Sequence, residues 1–461
     1  MSALRESVEP VAAPSSPKEP RLVPGRFLLG LGPDILSRPL DMLTELGQLG
    51  DVVRFRLPGM RAVLVNHPDL IRRVFQEYKT YDKQMRSYRR FALLLGEGLV
   101  TSDGEHWLRQ RRIAQPAFHR QRIAGFGEIM VRLTQGAGDD FAARTGRGEP
   151  INVVSEMARL TLSILCEAML GGDVPDDTET LAVAFNEVIK YLVERLNQLF
   201  YLPLWVPTPA NRRCRAALTS LNEVVYRMIA RRRAEKVERL DLLSMLLHAR
   251  DADTGEGMND IQLRDEVVTM LLGGHDTTAN TLSWAICLLA QNPRTQERLH
   301  AELKAELGGH APTSEDLTRL PFLRMVIDET MRLYPPVWLL ARNAARDDDL
   351  GGYPIYKGDA VFVSPWVVHR LQSLWDAPDE LRPERFSSEL DAERSRYAFF
   401  PFAGGPRQCI GNTFALMEAR LVLATLAQRY RFRLAPGSVV EPEPIMTLRP
   451  KGDVKVYLQP V

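Results

Sequence analysis

Charge of either sign is in no surplus: 59 Lys and Arg stand against 58 Asp and Glu, a formal net charge of +1. No global field draws the chain to nucleic acid, which would require basic residues gathered on one surface. Cysteine is scarce, four in 461 residues. Cys166, Cys214, Cys287 and Cys409 include no CxxC pair, which argues against a disulfide scaffold or a zinc site and fits a reducing compartment, here read as the cytoplasm. No apolar run reaches the roughly 20 residues of a membrane span, and the N-terminal stretch holds no signal-peptide core. Residues 1–25, rich in Pro, Ser and charge, read as a flexible leader on a soluble, monomeric protein. The short apolar patch Phe27–Leu31 reads as a packed lead-in to the first strand rather than a membrane contact.

What is present is the balance of an ordinary globular protein, 45% apolar and 25% charged, in a chain long enough for one large or two ordinary domains. VVRFRL and RAVLVN flank Pro58-Gly59-Met60 and predict a β-hairpin. From about Pro68 to Tyr334 apolar residues recur at spacings of three and four, a helical signal. Strand character returns in Gly351–Pro365 and in RFRL and VKVYL near the end. With no internal repeat and no internal linker, the expected fold is mainly α with a smaller β region, a single catalytic domain over residues 26–461.

The segment FFPFAGGPRQCIG leads directly into NTFALMEARLVLATLAQRY, whose spacing predicts a long helix beginning near Gly411. Cys409 therefore stands just before a helix N-terminus, where backbone N–H groups, the positive helix end and the nearby Arg407 favour thiolate over thiol. A lone cysteine is ordinarily a small buried hydrophobe. Here its neighbours decide: Phe402, Gly405, Arg407, Cys409 and Gly411 fit the pattern FxxGxRxCxG, and the chain resembles the cytochrome P450 family at every specified position. The resemblance implies haem as cofactor, Cys409 as the axial ligand to its iron, Phe402 shielding the sulfur, Arg407 pairing a propionate, and glycines that let the backbone approach the porphyrin. Thiolate ligation pushes electron density onto iron and favours O–O cleavage.

Other stretches extend the resemblance. In FLRMVIDETMRLYPP, Glu329 and Arg332 share a helix face, and with Arg385 of Pro383-Glu384-Arg385-Phe386 they are expected to form the family's buried structural network. In VVTMLLGGHDTTANTLSWAICLLA, Gly273 and Gly274 interrupt a long apolar helix at roughly 1 kcal/mol each relative to Ala, and Thr277 can bond back to the Gly273 carbonyl and open the helix locally. A close helix crossing is the plainer reading of those glycines. By resemblance the widened helix makes room for O2, Asp276 and Thr277 relay protons to it, and His275 is a packing residue. Trp107 and Arg111, four apart, match the WxxxR element that holds a propionate, with Arg342 as a third cationic partner. Arg109, Arg112, Arg120 and Arg122 are a candidate docking face for an acidic redox partner, whereas Arg231-Arg232-Arg233 reads as solvated helix surface.

The implied reaction puts one atom of O2 into an apolar substrate, with electrons from a separate ferredoxin or flavodoxin and its NAD(P)H-dependent reductase, since no residues remain for a fused one. A haem-thiolate enzyme that uses or rearranges peroxide is the alternative within the fold, and a haem-based sensor without turnover the alternative outside it. By resemblance the pocket draws on Arg86–Leu95, Met270–Gly274, Val337–Leu340 and Ile445–Thr447, with Leu271, Gly273, Val337, Trp338, Leu339, Leu340 and Met446 as its walls. Such a chamber suits a fatty acid, terpenoid, steroid or polyketide. Arg86, Tyr88, Arg89 and Arg90 would favour the fatty acid by holding its carboxylate at the entrance.

Overall fold

A computed structural model describes residues 19–26, 29–171, 175–196, 202–235, 239, 241–251 and 253–461. Six helices position the site: α1 (Arg86–Leu95), α2 (Gly104–Ala114), α3 (Val153–Leu170), α4 (Asp260–Gln291), α5 (Pro321–Leu333) and α6 (Asn412–Arg429). The longest, α4, starts at a capping box in which Asn259 and Gln262 satisfy each other's backbone amides, a device that fixes a helix start. It is apolar on most sides because α3, α5 and α6 all pack on it. Pro321 at the first position of α5 costs no hydrogen bond there.

The strands lie at the two ends of the chain, as the alternation predicts, and one sheet joins them. Its order is β1-β2-β3-β6-β5-β4, with β1 (Arg21–Leu22), β2 (Val52–Leu57), β3 (Met60–Val65), β4 (Tyr81–Asp82), β5 (Leu340–Ala344) and β6 (Ala360–Val363). The hairpin β2-β3 turns at Pro58-Gly59, where Gly59 has φ +67°. β3 runs parallel to β6, with Val63 opposite Val361, so residues 298 apart in sequence share one ladder. Tyr430–Leu434, Lys455–Pro460 and Ile151–Asn152 form a second sheet.

The expected leader needs shortening. Residues 1–18 lie outside the described residues, but Arg21–Leu22 pair in parallel with Val53–Arg54, and the Val23 amide donates to the Arg54 carbonyl at 2.8 Å. Two residues are too few to show a period, so this strand is set by its partner rather than by its own sequence. Of the patch Phe27–Leu31, Phe27 and Leu28 are outside the described residues and Leu31 is buried. Arg232 also departs from the expected solvated run: it is buried against Asp241 and the Ser244 hydroxyl, because α-helical spacing turns it away from Arg231 and Arg233.

Candidate active site

A cavity of about 320 Å³ lies between α4 and the loop that precedes α6. Cys409 faces it. Cys409 is exposed where it lines the cavity, and desolvation by the protein around it pushes the thiol up while the Gly411 amide and the Arg111 guanidinium pull it down. The expected cation beside the sulfur was Arg407; the structure puts Arg111 in that role. Arg407 turns the other way, over the Trp107 ring at 4.0 Å, onto Asp103 and the Ser102 carbonyl. The loop is held by the Cys409 amide donating to the Phe402 carbonyl at 3.0 Å. Gly405, at φ +67°, touches the Phe75 carbonyl so closely that a Cβ would lie 2.3 Å from it, which leaves glycine as the one residue that fits.

At one end of the cavity positive charge gathers. Lys83 and Arg407 line it and Arg342 stands beside them, with Asp103 the carboxylate acting on both. Burial, then the guanidiniums of Arg342 and Arg407, push the Lys83 ammonium well below its usual range, against the pull of Asp103. Arg342 donates to the Ala341 carbonyl and to Tyr88, and Arg407 Nε has no partner among the described residues. Buried cations in excess of carboxylates are costly unless an anion joins them. Lys83 carries no motif, and sequence reasoning missed it.

The wall of α4 over the cavity is glycine and threonine. Gly273, Gly274, Thr277, Thr278 and Thr281 line it, and the Thr277 hydroxyl donates to the Gly273 carbonyl at 2.7 Å. The helix stays α-helical through this stretch, so the expected local opening is absent: the Thr277 bond onto the Gly273 carbonyl forms without breaking the ladder. The two readings of the glycines divide between them. A Cβ on Gly273 would meet nothing within 4 Å, whereas one on Gly274 would come 2.8 Å from Leu165 of α3. Gly273 keeps space free; Gly274 permits a helix crossing.

Asp276 does not line the cavity. Its carboxylate accepts from Thr447 at 2.5 Å and Asn280 at 3.4 Å. His275 packs edge-on against Phe185. A second buried acid was missed: Glu418 of α6, fully buried beside Thr278, has a carboxyl that burial pushes well above its usual range. Its signal was a single acid on the apolar face of the helix after Cys409.

Of the expected pocket residues, Gly273, Val337 and Leu340 line the cavity. Leu271, Trp338, Leu339 and Met446 do not: Leu271 is wholly buried in the core, Trp338 donates to the Ile445 carbonyl and packs with Leu339 against the first sheet, and Met446 packs on the main core. None of Arg86, Tyr88, Arg89 and Arg90 reaches it; Tyr88 donates to the Ala341 carbonyl and Arg90 to that of Arg195. Met270 and Gly274, from the expected stretch Met270–Gly274, line it as well, and the walls not foreseen are Leu99, Val100, Leu165, Leu242 and Thr269.

Two further groups are settled geometrically. Arg332 grips Glu329 through Nε and one terminal nitrogen, at 2.7 and 2.9 Å, both residues buried, and the partly buried Arg385 has its Nε 3.4 Å from Glu329. In the basic region, Arg109 is engaged by Glu256 and the Gly257 carbonyl, and Arg112 by Asp251 and Asp253. Arg120 and Arg122 remain exposed.

The profile of the family described as "Cytochrome P450" matches residues 20–457, and this chain belongs to that family. It is 37% identical to "Cyclooctatin synthase" of Streptomyces melanosporofaciens over 92% of each chain. It is 35% identical to "Cyclooctat-9-en-7-ol 5-monooxygenase" of the same organism over 95% of each. The crystal structure of the "cytochrome P450DA heme domain" superposes with a TM-score of 0.88 at 26% identity, covering 96% of this chain and 98% of the other. The cofactor is therefore haem with its iron, and the enzyme class is the P450 monooxygenases. The cavity fits that group on its own terms: a thiol at one face, surplus cations at one end for two carboxylates, and Gly411, where a Cβ would meet no protein atom nearer than Phe118 at 4.0 Å. Among the described residues no helix is long and apolar enough to cross a membrane.

Proposed function

We propose that this protein oxygenates a terpenoid, an apolar carbocyclic guest held by shape, with electrons delivered by a separate ferredoxin or flavodoxin served by an NAD(P)H-dependent reductase. The observation that carries the substrate reading is the wall itself. Leu99, Val100, Leu165, Leu242, Met270, Val337 and Leu340 are apolar, the hydroxyls of Thr277 and Thr278 are turned onto backbone carbonyls, and the cations gather at the haem-carboxylate end. Little is left to anchor a carboxylate, which disfavours the fatty acid. The name of one relative denotes an alcohol of a carbocyclic terpenoid skeleton, the kind of guest such a wall accepts.

In this reading Cys409 would hold the haem iron with Phe402 shielding its sulfur, and Trp107, Arg111, Arg342 and Arg407, joined by Lys83, would hold the haem carboxylates. Bound there, haem supplies thiolate-assisted activation of O2. The chain's own work is to exclude water and to place protons. Thr277 Oγ1 sits on the cavity with its proton directed at the Gly273 carbonyl, free to turn, and Asp276 behind it reaches the interior through Thr447 and Asn280. Glu329, Arg332 and Arg385 hold the α5 side of the core rigid. Arg120 and Arg122 remain for an acidic redox partner, and the buried cysteines Cys166, Cys214 and Cys287 suit the cytoplasm.

The test is an optical titration of the purified ferric protein with fatty acids, terpenes, steroids and macrolides, following the Soret band. A low-to-high-spin shift with cyclic terpenes and none with fatty acids is expected. A shift confined to fatty acids would reverse the substrate assignment.

A further inference from the structure

Residues 96–102, between α1 and α2, supply two walls of the cavity, Leu99 and Val100. The segment is tied to itself by the Thr101 and Ser102 amides on the Gly98 carbonyl, at 3.0 and 2.9 Å, and by the Thr101 hydroxyl on the Gly96 carbonyl at 2.7 Å. The Glu97 and Leu99 amides find their acceptors outside the segment. Both cross to α4: Glu97 donates to Asp265 Oδ2 at 2.8 Å and Leu99 to Glu266 Oε2 at 3.2 Å. The approach is so close that it needs bare backbone. A Cβ on Gly96 would lie 2.1 Å from Asp265 Oδ1, and one on Gly98 would lie 2.2 Å from Thr269 Oγ1.

The two acids are not equivalent. Asp265 has a guanidinium, Arg264, at 2.9 Å. Glu266 is 1% exposed, has no cation in contact, and its second oxygen has no partner among the described residues. Burial, with Asp265 adding to it, pushes the Glu266 carboxyl up to about 8. A buried carboxyl with an idle oxygen is more costly than an apolar side chain of its size. What offsets the cost is the Leu99 amide, which would otherwise be a buried donor without an acceptor.

We propose that Asp265 and Glu266 are positioning residues that clamp segment 96–102 onto α4, and that Glu266, through the Leu99 amide, sets how firmly the Leu99-Val100 wall grips the substrate. The proposal rests on the cavity being the substrate chamber of a haem enzyme. Its test uses the holoenzyme and two heterocyclic iron ligands of different size, imidazole, which fills little of the cavity, and 4-phenylimidazole, whose added ring calls on more of the apolar lining.

In Glu266→Leu the acceptor is gone. Hydrogen exchange of the 97–100 amides should rise about tenfold and 4-phenylimidazole should bind about tenfold more weakly, the loss of one hydrogen bond of ~1.4 kcal/mol. Imidazole affinity should not move. Glu266→Gln keeps a carbonyl acceptor and should restore both quantities to near wild type. Gly98→Ala, which forces the segment off Thr269 from the other side, should reproduce the Glu266→Leu pattern and serves if that variant does not hold haem. Unchanged 97–100 exchange in Glu266→Leu or Gly98→Ala overturns the clamp. Equal weakening of both ligands, unrescued by Glu266→Gln, reduces Glu266 to a general packing role and overturns it too. A wild type without a Soret band fails the haem reading instead, before either ligand is added.

Discussion

At the scale of single residues, four thiols are present and one of them faces the cavity. Cys166, Cys214 and Cys287 are buried, and burial pushes Cys287 up to about 12 and Cys214 up to about 11. Replacing each of the three by Ser should leave the thiolate-specific band of the reduced carbonyl complex in place, whereas Cys409→Ser should abolish it. A Cys409→Ser protein that kept the band would remove the axial assignment. Thr277 invites a second substitution. With its hydroxyl gone, Thr277→Ala should bind haem as before but divert NAD(P)H electrons into peroxide or water, lowering coupling by about tenfold or more, the usual scale for a lost proton-transfer group. Coupling equal to wild type would place the relay elsewhere, with Glu418 beside Thr278 the next residue to replace.

At the scale of elements, α4 carries two adjacent glycines with different consequences. Gly273→Ala should gain up to about 1 kcal/mol of helix stability, yet intrude on open cavity, so thermal stability should rise while the affinity of a bulky guest falls. Gly274→Ala meets Leu165 and should lose most of that gain. Melting curves of the two variants that coincide would argue against this division. Glu266 adds a pH dependence to the same helix. Its carboxyl is near 8 in the folded chain and near the ordinary carboxylate range when unfolded, so the folded state binds the extra proton between them. Stability from this group therefore falls as pH rises from about 4.5 to 8, and Glu266→Gln should flatten that slope in denaturant titrations. The α5 network is less forgiving. Arg332→Leu leaves Glu329 buried with the Arg382 amide at 2.8 Å and Arg385 Nε at 3.4 Å in place of its two-bond partner and should cost about 3–5 kcal/mol, seen as a large drop in melting temperature at unchanged Soret position in what remains folded.

Over the whole molecule, legibility in the sequence followed length and periodicity. The hairpin of β2 and β3, the long helices and the C-terminal strands announced themselves because each buries one face over enough residues to leave a pattern. β1, β4 and Ile151–Asn152 did not, since two residues have no period and are strands only by virtue of a neighbour. The same divide runs through the site. Cys409, Thr277 and Glu329 lie in patterned segments that single them out; Lys83 and Glu418 are single residues whose meaning comes from what other segments bring to them. The wall residues Leu99, Leu165 and Leu242 look like core leucines, and only the packing of α3, α4 and the 96–102 segment shows which core positions face a cavity. Trp338 and Met446 erred in the opposite sense, being large and apolar but already engaged by the sheet and the core.

The sheet that joins the two ends of the chain also fixes when the protein can be completed during synthesis. β2 and β3 leave the ribosome early, but β6, which pairs with β3 and carries β5 beside it, follows 298 residues later by the register of Ala62 to Ala360. Lys83 and Trp107 wait equally long for Arg342, Arg407 and Cys409. A nascent chain that lacks its last quarter presents Lys83 and Trp107 without Arg407 and Cys409, so haem capture waits until the segment that carries Cys409 has been made. Ribosome-stalled chains ending before residue 409 should bind no haem in a pull-down, and released full-length chains should.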